Sequence, residues 1–205
     1  MFNREWQEAK AVNLKRGETT RMEIIKLDEK HLESVSELFT RNYMKVRERQ
    51  NILPEKYTNK GVIFELLHDL YTKSTGFVAI DNNDVIGYLI GIPIQNFKGS
   101  QKGIYCPEWG HTVISKVKAK VYQKLYDIAA GTWVDNGYLN HAISILEHDD
   151  ETMNIWSWNG FGIHVVDAVR DLNLLSGNIN NDIEEKIVNL NNYISKEVVT
   201  TVEEL

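Results

Sequence analysis

The sequence predicts an α/β (α+β) protein, with helices flanking one mixed, mostly antiparallel central sheet. Three observations carry this. The apolar residues switch between helical stripes and short strand-like runs. Two such runs, 76–80 and 85–94, meet across the turn-rich "DNND" at 81–84 as a hairpin. Helical stretches separate the other strand candidates, so hairpins and crossover helices share one sheet.

Taken in order, residues 1–21 form a polar N-terminal extension, and "MEIIKL", 22–27, reads as a strand. Asp28 caps the helix that follows, with Leu32, Val35, Phe39 and Tyr43 on one face. Beyond Pro54, a second helix carries Val62, Ile63, Leu66, Leu67, Leu70 and Tyr71. The hairpin comes next, then a polar turn at 97–103 and a third sheet candidate, "IYCPEWGHTVI", 104–114. Pro107 and Gly110 mark that strand for a bulge or an edge. A long helix over 118–136 buries Val121, Leu125, Ile128, Ala129 and Trp133, and "DNG" ends it. "LNHAISIL", 139–146, is a strand, 149–158 a short helix with an acidic start, and "FGIHVVDAV", 161–169, the last strand.

The order from 22 to 170 is therefore β-α-α-β-β-β-α-β-α-β. After Arg170 the chain turns rich in Asn and Gly. A helix over 183–196 then repeats Ile183, Ile187, Leu190 and Ile194 at helical spacing. Three segments are expected: 1–21, a domain over 22–172, and a tail over 173–205. The tail is a packing arm, the start of a second unit, or an element that packs on a second copy and makes a homodimer.

The 205 residues carry a net charge of −6, which speaks against a nucleic-acid partner held by a broad basic surface. No window approaches the length of an apolar bilayer span, and residues 1–21 lack an apolar signal core. A cytoplasmic protein with no membrane partner is expected. Cys106 is the single cysteine, with Pro107 beside it, and reads as a small buried apolar group. There is no Gly-x-Gly-x-x-Gly, no Walker loop and no Gly-x-Ser-x-Gly. His141 and His148 lie seven apart, which is no metal-ligand spacing. Trp109, Trp133, Trp156 and Trp158, with Tyr122 and Tyr126, are either core or an aromatic wall around a pocket.

The element order, the "AIDNNDVIGYLIG" hairpin with Gly87 and Gly91, and the closing "WNGFGIHVVDAVR" together resemble the GCN5-related N-acetyltransferases, the GNAT superfamily. The resemblance covers about 150 residues. It implies that acetyl-CoA, as co-substrate, lies where the 104–114 and 139–146 strands part. Backbone groups of the first would hold its pantetheine arm, and amides at the start of the 118–136 helix its pyrophosphate. It also implies transfer of the acetyl group to an amine, from a small molecule or a peptide, without a metal.

Mapped onto this chain, the cofactor contacts fall on Thr112, Val113 and Ile114. The family's phosphate loop is rich in glycine, whereas 115–124, "SKVKAKVYQK", has none. Lys116, Lys118 and Lys120 are there instead, as a phosphate site or as a solvated helix start. Glu108 and His111 are the candidate catalytic groups, the alternative being an exposed acid and a satisfied histidine. Three apart, they fall on opposite faces of an ideal strand unless a bulge at Gly110 joins them. The family commonly has a tyrosine four residues before the position of Gly160 and an asparagine eleven before. Trp156 and Asp149 stand there here. Indole does not titrate usefully, so the alternative function is a GNAT-like CoA-binding or regulatory domain with impaired catalysis.

Overall fold

A computed structural model describes residues 22–114, 117–146 and 150–167. The chain divides into two compact units, Met1–His164 and Val165–Leu205. Only 165–167 of the second unit are described, and the expected helix at 183–196 lies outside the described residues.

The first strand, β1 (Glu23–Lys26), leads through a short 3-10 turn, Glu29–His31, into α1 (Leu32–Arg47). Asp28 caps as expected: its carboxylate accepts from Glu29 N at 2.7 Å. His31 Nδ1 accepts from Asp28 N at 3.0 Å and closes a capping box. Then come α2 (Lys60–Lys73), β2 (Thr75–Asp81) and β3 (Asp84–Phe97). Asn82 and Asn83 both adopt positive φ, 48° and 71°, the two-residue turn that suits the strand twist. β4 (Gln101–Cys106) and β5 (His111–Val113) follow, then α3 (Lys118–Asp135), β6 (Asn140–Ile143) and α4 (Asp150–Trp158).

The sheet runs β1-β2-β3-β4-β6, with β5 on β3. Every pair is antiparallel except β4 with β6. The expected mixed, mostly antiparallel sheet flanked by helices is therefore what forms. One face packs on α1 and α2 through Leu32, Val35, Phe39, Ile63, Leu67, Val78, Tyr88 and Ile90. The other packs on α3 and α4 through Phe77, Leu89, Ile104, Val121, Leu125, Trp133 and Trp156. Alternation along β3 explains the split, since Tyr88 and Ile90 point one way and Leu89 the other.

Three expectations change. The strand read over 104–114 is two strands, because Gly110 N bonds Pro107 O at 2.8 Å and turns the chain between them. Ile128 is 42% exposed and Tyr122 is buried in its place, so the buried stripe of α3 is rotated. The strand read at 161–169 is absent over 161–167; 168 and 169 lie outside the described residues. Ile163, in the first unit, is 84% exposed, and no described strand pairs with it. Apolar strand formers without a partner do not make a strand.

Glycine decides how closely α3 seats on the sheet. A Cβ at Gly91 would lie 2.3 Å from Ile104 Cγ2 and 2.7 Å from Trp133 Cζ2. One at Gly87 would meet Val113 and Val121 at 2.8 and 3.0 Å. At the far end of the packing, His141 on β6 accepts from the Tyr126 hydroxyl at 3.0 Å and donates to Tyr138 O at 3.0 Å. Its ring meets Trp133 edge-on at 5.1 Å. Burial lowers the pKa of His141 below its ordinary value. Burial and Lys30 do the same for His31, against the opposing pull of Asp28.

Two measurements check this packing. Gly91→Ala is expected to cost about 1–3 kcal/mol in urea unfolding, from overpacking against Ile104 and Trp133. Gly131→Ala, also in α3 but with open space around its Cβ, is expected to stabilise by about 0.5–1 kcal/mol. The histidines predict a pH dependence. Both are neutral above about pH 6.5 in folded and unfolded chains alike, so nothing is lost there. Below it the unfolded chain takes up protons first, and stability falls until the lowered folded pKa values are passed. The limiting slope is about 1.4 kcal/mol per pH unit per histidine. Urea unfolding between pH 7.5 and 5 reads the effect, and His141→Gln is expected to flatten it.

Candidate active site

The parallel ladder of β4 and β6 pairs Gly103 with Asn140 through Cys106 with Ile143. It closes with Ser144 N donating to Cys106 O at 2.8 Å. From there the strands part. β4 turns at Pro107–Gly110 and resumes as β5 on β3, while 144–146 leaves the ladder. A cavity of about 180 Å³ lies along this opening and reaches both helix layers. Phe39, Asn42, Tyr43, Lys45 and Val46 of α1, with Arg49 just beyond its end, line one side. Lys118 and Tyr122 of α3 and Thr152 of α4 line the other, with Glu108, His111, Thr112, Val113, Ile145 and Leu146 between. Sites for whole drug-sized ligands exceed roughly 300 Å³. This cavity, at about 180 Å³, is smaller than that.

The direction of β5's backbone follows from two bonds. Ile90 N donates to Gly110 O at 2.8 Å and Ile114 N to Ile86 O at 2.9 Å. Gly110, Thr112 and Ile114 therefore face β3, and alternation turns the amides and carbonyls of His111 and Val113 toward the opening. Among the mapped cofactor residues, Val113 offers backbone to the opening and Ile114 gives its amide to β3. Thr112 contributes its side chain: Asn42 Nδ2 donates to Thr112 Oγ1 at 2.9 Å and to Val113 O at 3.1 Å. Asn42 was missed in the sequence; the signal that could have found it is an amide at helical spacing between Phe39 and Val46 on α1.

Glu108 and His111 line the same cavity, because the turn at 107–110 replaces the ideal strand that would have kept them apart. His111 is buried. Its Nε2 faces Ser144 O at 2.8 Å and its Nδ1 faces the Tyr122 hydroxyl at 2.9 Å. A carbonyl only accepts, so Nε2 carries the hydrogen. In the neutral ring, Nδ1 then accepts from Tyr122. The histidine thus ties the two parted strands and the helix together. Tyr122, read in the sequence as core or as part of an aromatic wall, is both buried and in the cavity lining; its bond to His111 was not anticipated.

Lys118 opens α3 and ion-pairs with Glu151 of α4 at 3.8 Å. Lys120, two residues on and roughly 200° around the helix, is exposed. Lys116 lies outside the described residues. The residue before the helix is Val117, which has no side-chain oxygen to cap the first amides. Trp156 is buried among the rings of His111, Tyr122, Tyr126 and Phe161, at 6.2, 5.3, 5.4 and 5.2 Å. Its Nε1 has no hydrogen-bond partner among the described residues. Trp133 joins the same layer, Trp109 the opposite one, and Trp158 is 90% exposed. Burial pushes the Tyr43 phenol up to about 12, and its hydroxyl donates to Pro54 O at 2.9 Å. The buried Cys106 thiol is likewise pushed up by burial. Among the described residues, no cluster of His, Cys, Asp or Glu is placed to hold a metal ion, and no helix is long and apolar enough to cross a membrane.

No family model and no curated protein sequence matches the chain. Solved structures do. The aminoglycoside N-acetyltransferase AAC(6')-Iy in complex with CoA superposes with a TM-score of 0.57 at 14% identity, over 76% of this chain and 97% of that one. The aminoglycoside acetyltransferase meta-AAC0020, from an uncultured soil metagenomic sample and in complex with sisomicin, gives 0.52 at 18% identity, over 74% and 96%. The ribosomal-protein-alanine N-acetyltransferase of Brucella melitensis biovar Abortus 2308 gives 0.53 at 8%, over 73% and 98%. With its parted strands and its order of elements, the chain has the fold of the GCN5-related N-acetyltransferases.

Proposed function

We propose that the protein is an N-acetyltransferase that moves an acetyl group from acetyl-CoA to an amine of a small molecule or a peptide. The observation that carries this reading is the opening between β5 and 144–146, with its cavity reaching both faces of the sheet. An extended donor entering along β5 would meet the backbone of His111 and Val113. An amine arriving beside α1 would meet it in the cavity, next to Glu108. Thioester and amine held in one small space react as if at high effective concentration.

The residues fit the donor in three ways. Lys118 stands at the first turn of α3, where helix amides and an ammonium favour a phosphate. Val117, which precedes the helix, has no side-chain oxygen to compete for those amides. The opening is a strand edge, which suits a molecule carrying amides of its own. Glu108 lines the cavity and, in this reading, takes the proton that the attacking amine releases. The buried Trp156 and the glycine-free 115–124 segment favour a second reading, a CoA-binding regulatory domain with impaired catalysis.

Calorimetric titration with acetyl-CoA, followed by assay of free thiol with a broad amine panel, separates the readings. Acetyl-CoA is expected to bind, and a subset of amines to release thiol. Binding with no release from any amine would favour the regulatory domain, and no binding at millimolar acetyl-CoA would remove both. Lys118→Ala is expected to weaken acetyl-CoA about tenfold, the loss of one charge-assisted contact. Glu108→Gln is expected to lower turnover about 10²-fold with acetyl-CoA affinity unchanged; intact turnover would show that Glu108 is not the base.

A further inference from the structure

We propose that the acceptor is an amine that also carries an anionic group, a carboxylate or a phosphate, and that Lys45 and Arg49 bind that group. This rests on the acetyl-transfer reading above and deepens it. The class it selects is an acidic amine and not a polycation.

The whole chain has a net charge of −6, yet the cavity wall runs the other way. Among the described residues, its charged lining is Lys45, Arg49 and Lys118 against the carboxylate of Glu108. Lys118 is paired with Glu151 at 3.8 Å. Lys45 and Arg49 are exposed, and neither side chain has an ion pair or a hydrogen bond among the described residues. Other cations of the two helices behave differently. Arg47, between these two in sequence, meets Glu55 at 3.7 Å and donates from Nε to Leu53 O at 3.1 Å. Lys60 pairs with Glu33, and Lys73 with Asp69. Glu48, three residues on from Lys45, lines the neighbouring groove with Arg41 and Lys60 and not the cavity.

Lys45 lies in the last turn of α1 and Arg49 just beyond its end. Four residues along a helix is a rise of about 6 Å on one face, close enough for like charges to repel. The helix dipole favours cations in this turn but has no preference among its faces. An anion between the two heads relieves the repulsion, and the guanidinium fork can hold a carboxylate or a phosphate through two hydrogen bonds. Asn42, one turn earlier, bonds Thr112 Oγ1 and Val113 O, so this face of α1 is tied to β5. The cavity thus offers a carboxylate, Glu108, to an ammonium and two cations to an anion. Charges of one sign in a cleft with low-dielectric walls focus the field there. A polycationic acceptor would bring further ammonium groups against Lys45 and Arg49.

The test is kcat/KM by thiol release for matched amines, with acetyl-CoA affinity measured calorimetrically. The pairs are γ-aminobutyrate against butylamine, phosphoethanolamine against ethanolamine, and Asp-Ala-Ala against Asn-Ala-Ala, with an aminoglycoside as the polycation. The acid-bearing member is expected to be favoured about tenfold or more in at least one pair, and the pairs tell carboxylate from phosphate. Added salt is expected to shrink the preference. Lys45→Gln and Arg49→Gln are each expected to reduce it about threefold or more, and Arg49→Glu to reverse it, with acetyl-CoA affinity kept within about twofold. Arg41→Gln, four residues before Lys45 but in the neighbouring groove, is expected to change nothing. Turnover without preference in any pair, an aminoglycoside favoured over every acidic amine, or a preference intact in both glutamine variants would show the proposal wrong while acetyl transfer stands. An equal fall in acetyl-CoA affinity would assign the two cations to the donor's phosphates and overturn it as well. Acetyl-CoA binding with no thiol released from any amine removes the transfer reading, and the acidic acceptor with it.

Discussion

The ladder between β4 and β6 ends at the hydrogen bond from Ser144 N to Cys106 O, and the character of the site follows from that ending. Four residue pairs hold the strands together, and the turn at Pro107–Gly110 then carries one of them away. Left alone, two parted strands with apolar flanks would collapse onto each other. The His111 ring stands between them instead, bonded to Ser144 O at 2.8 Å and to Tyr122 at 2.9 Å. From the other face Asn42 ties α1 to Thr112 and Val113. The opening is thus propped from both layers by polar bonds, of which His111 to Tyr122 is buried and the others are partly buried.

That arrangement requires α3 to lie close to the sheet. Tyr122 reaches His111 only because Val121 rests over Gly87 and Trp133 over Gly91, where no side chain could fit. Two positions on β3, neither of them lining the cavity, therefore set the height of a hydroxyl that does. Trp156 completes the layer from α4. Its buried Nε1 has no partner among the described residues, a cost of about 1–3 kcal/mol borne by the packing around it.

Much of this was legible in the sequence. Asp28 as a cap, Asn82 and Asn83 as a turn, and the stripes Leu32–Val35–Phe39–Tyr43 and Ile63–Leu67–Leu70 are local, and local chemistry decides them. Pro107 and Gly110 announced a break in the strand but not its result, which depends on β3 accepting two partners along one edge. Ile128 illustrates the limit of periodicity. A helix that buries Val121, Tyr122, Leu125, Ala129 and Trp133 can turn Ile128 outward, and only the sheet beneath it settles the rotation. The pairing of Tyr122 with His111 joins residues eleven apart on a helix and a strand, and no spacing rule anticipates it. At 161–167 the residue types favoured a strand, but a strand exists only where another edge accepts it.

The parting of β5 from 144–146 also bears on how the protein avoids its own kind. Exposed strand edges recruit other chains, and proteins blunt them with charge, proline or cover. Here the edge formed by His111 and Val113 lies inside the sheet, between helices on both faces, where a second polypeptide with side chains on alternate faces would meet α1 and Tyr122. A thin molecule with amides and little lateral bulk would not. Helices on both faces thus give this inward edge a form of the cover that keeps strand edges from pairing with other chains.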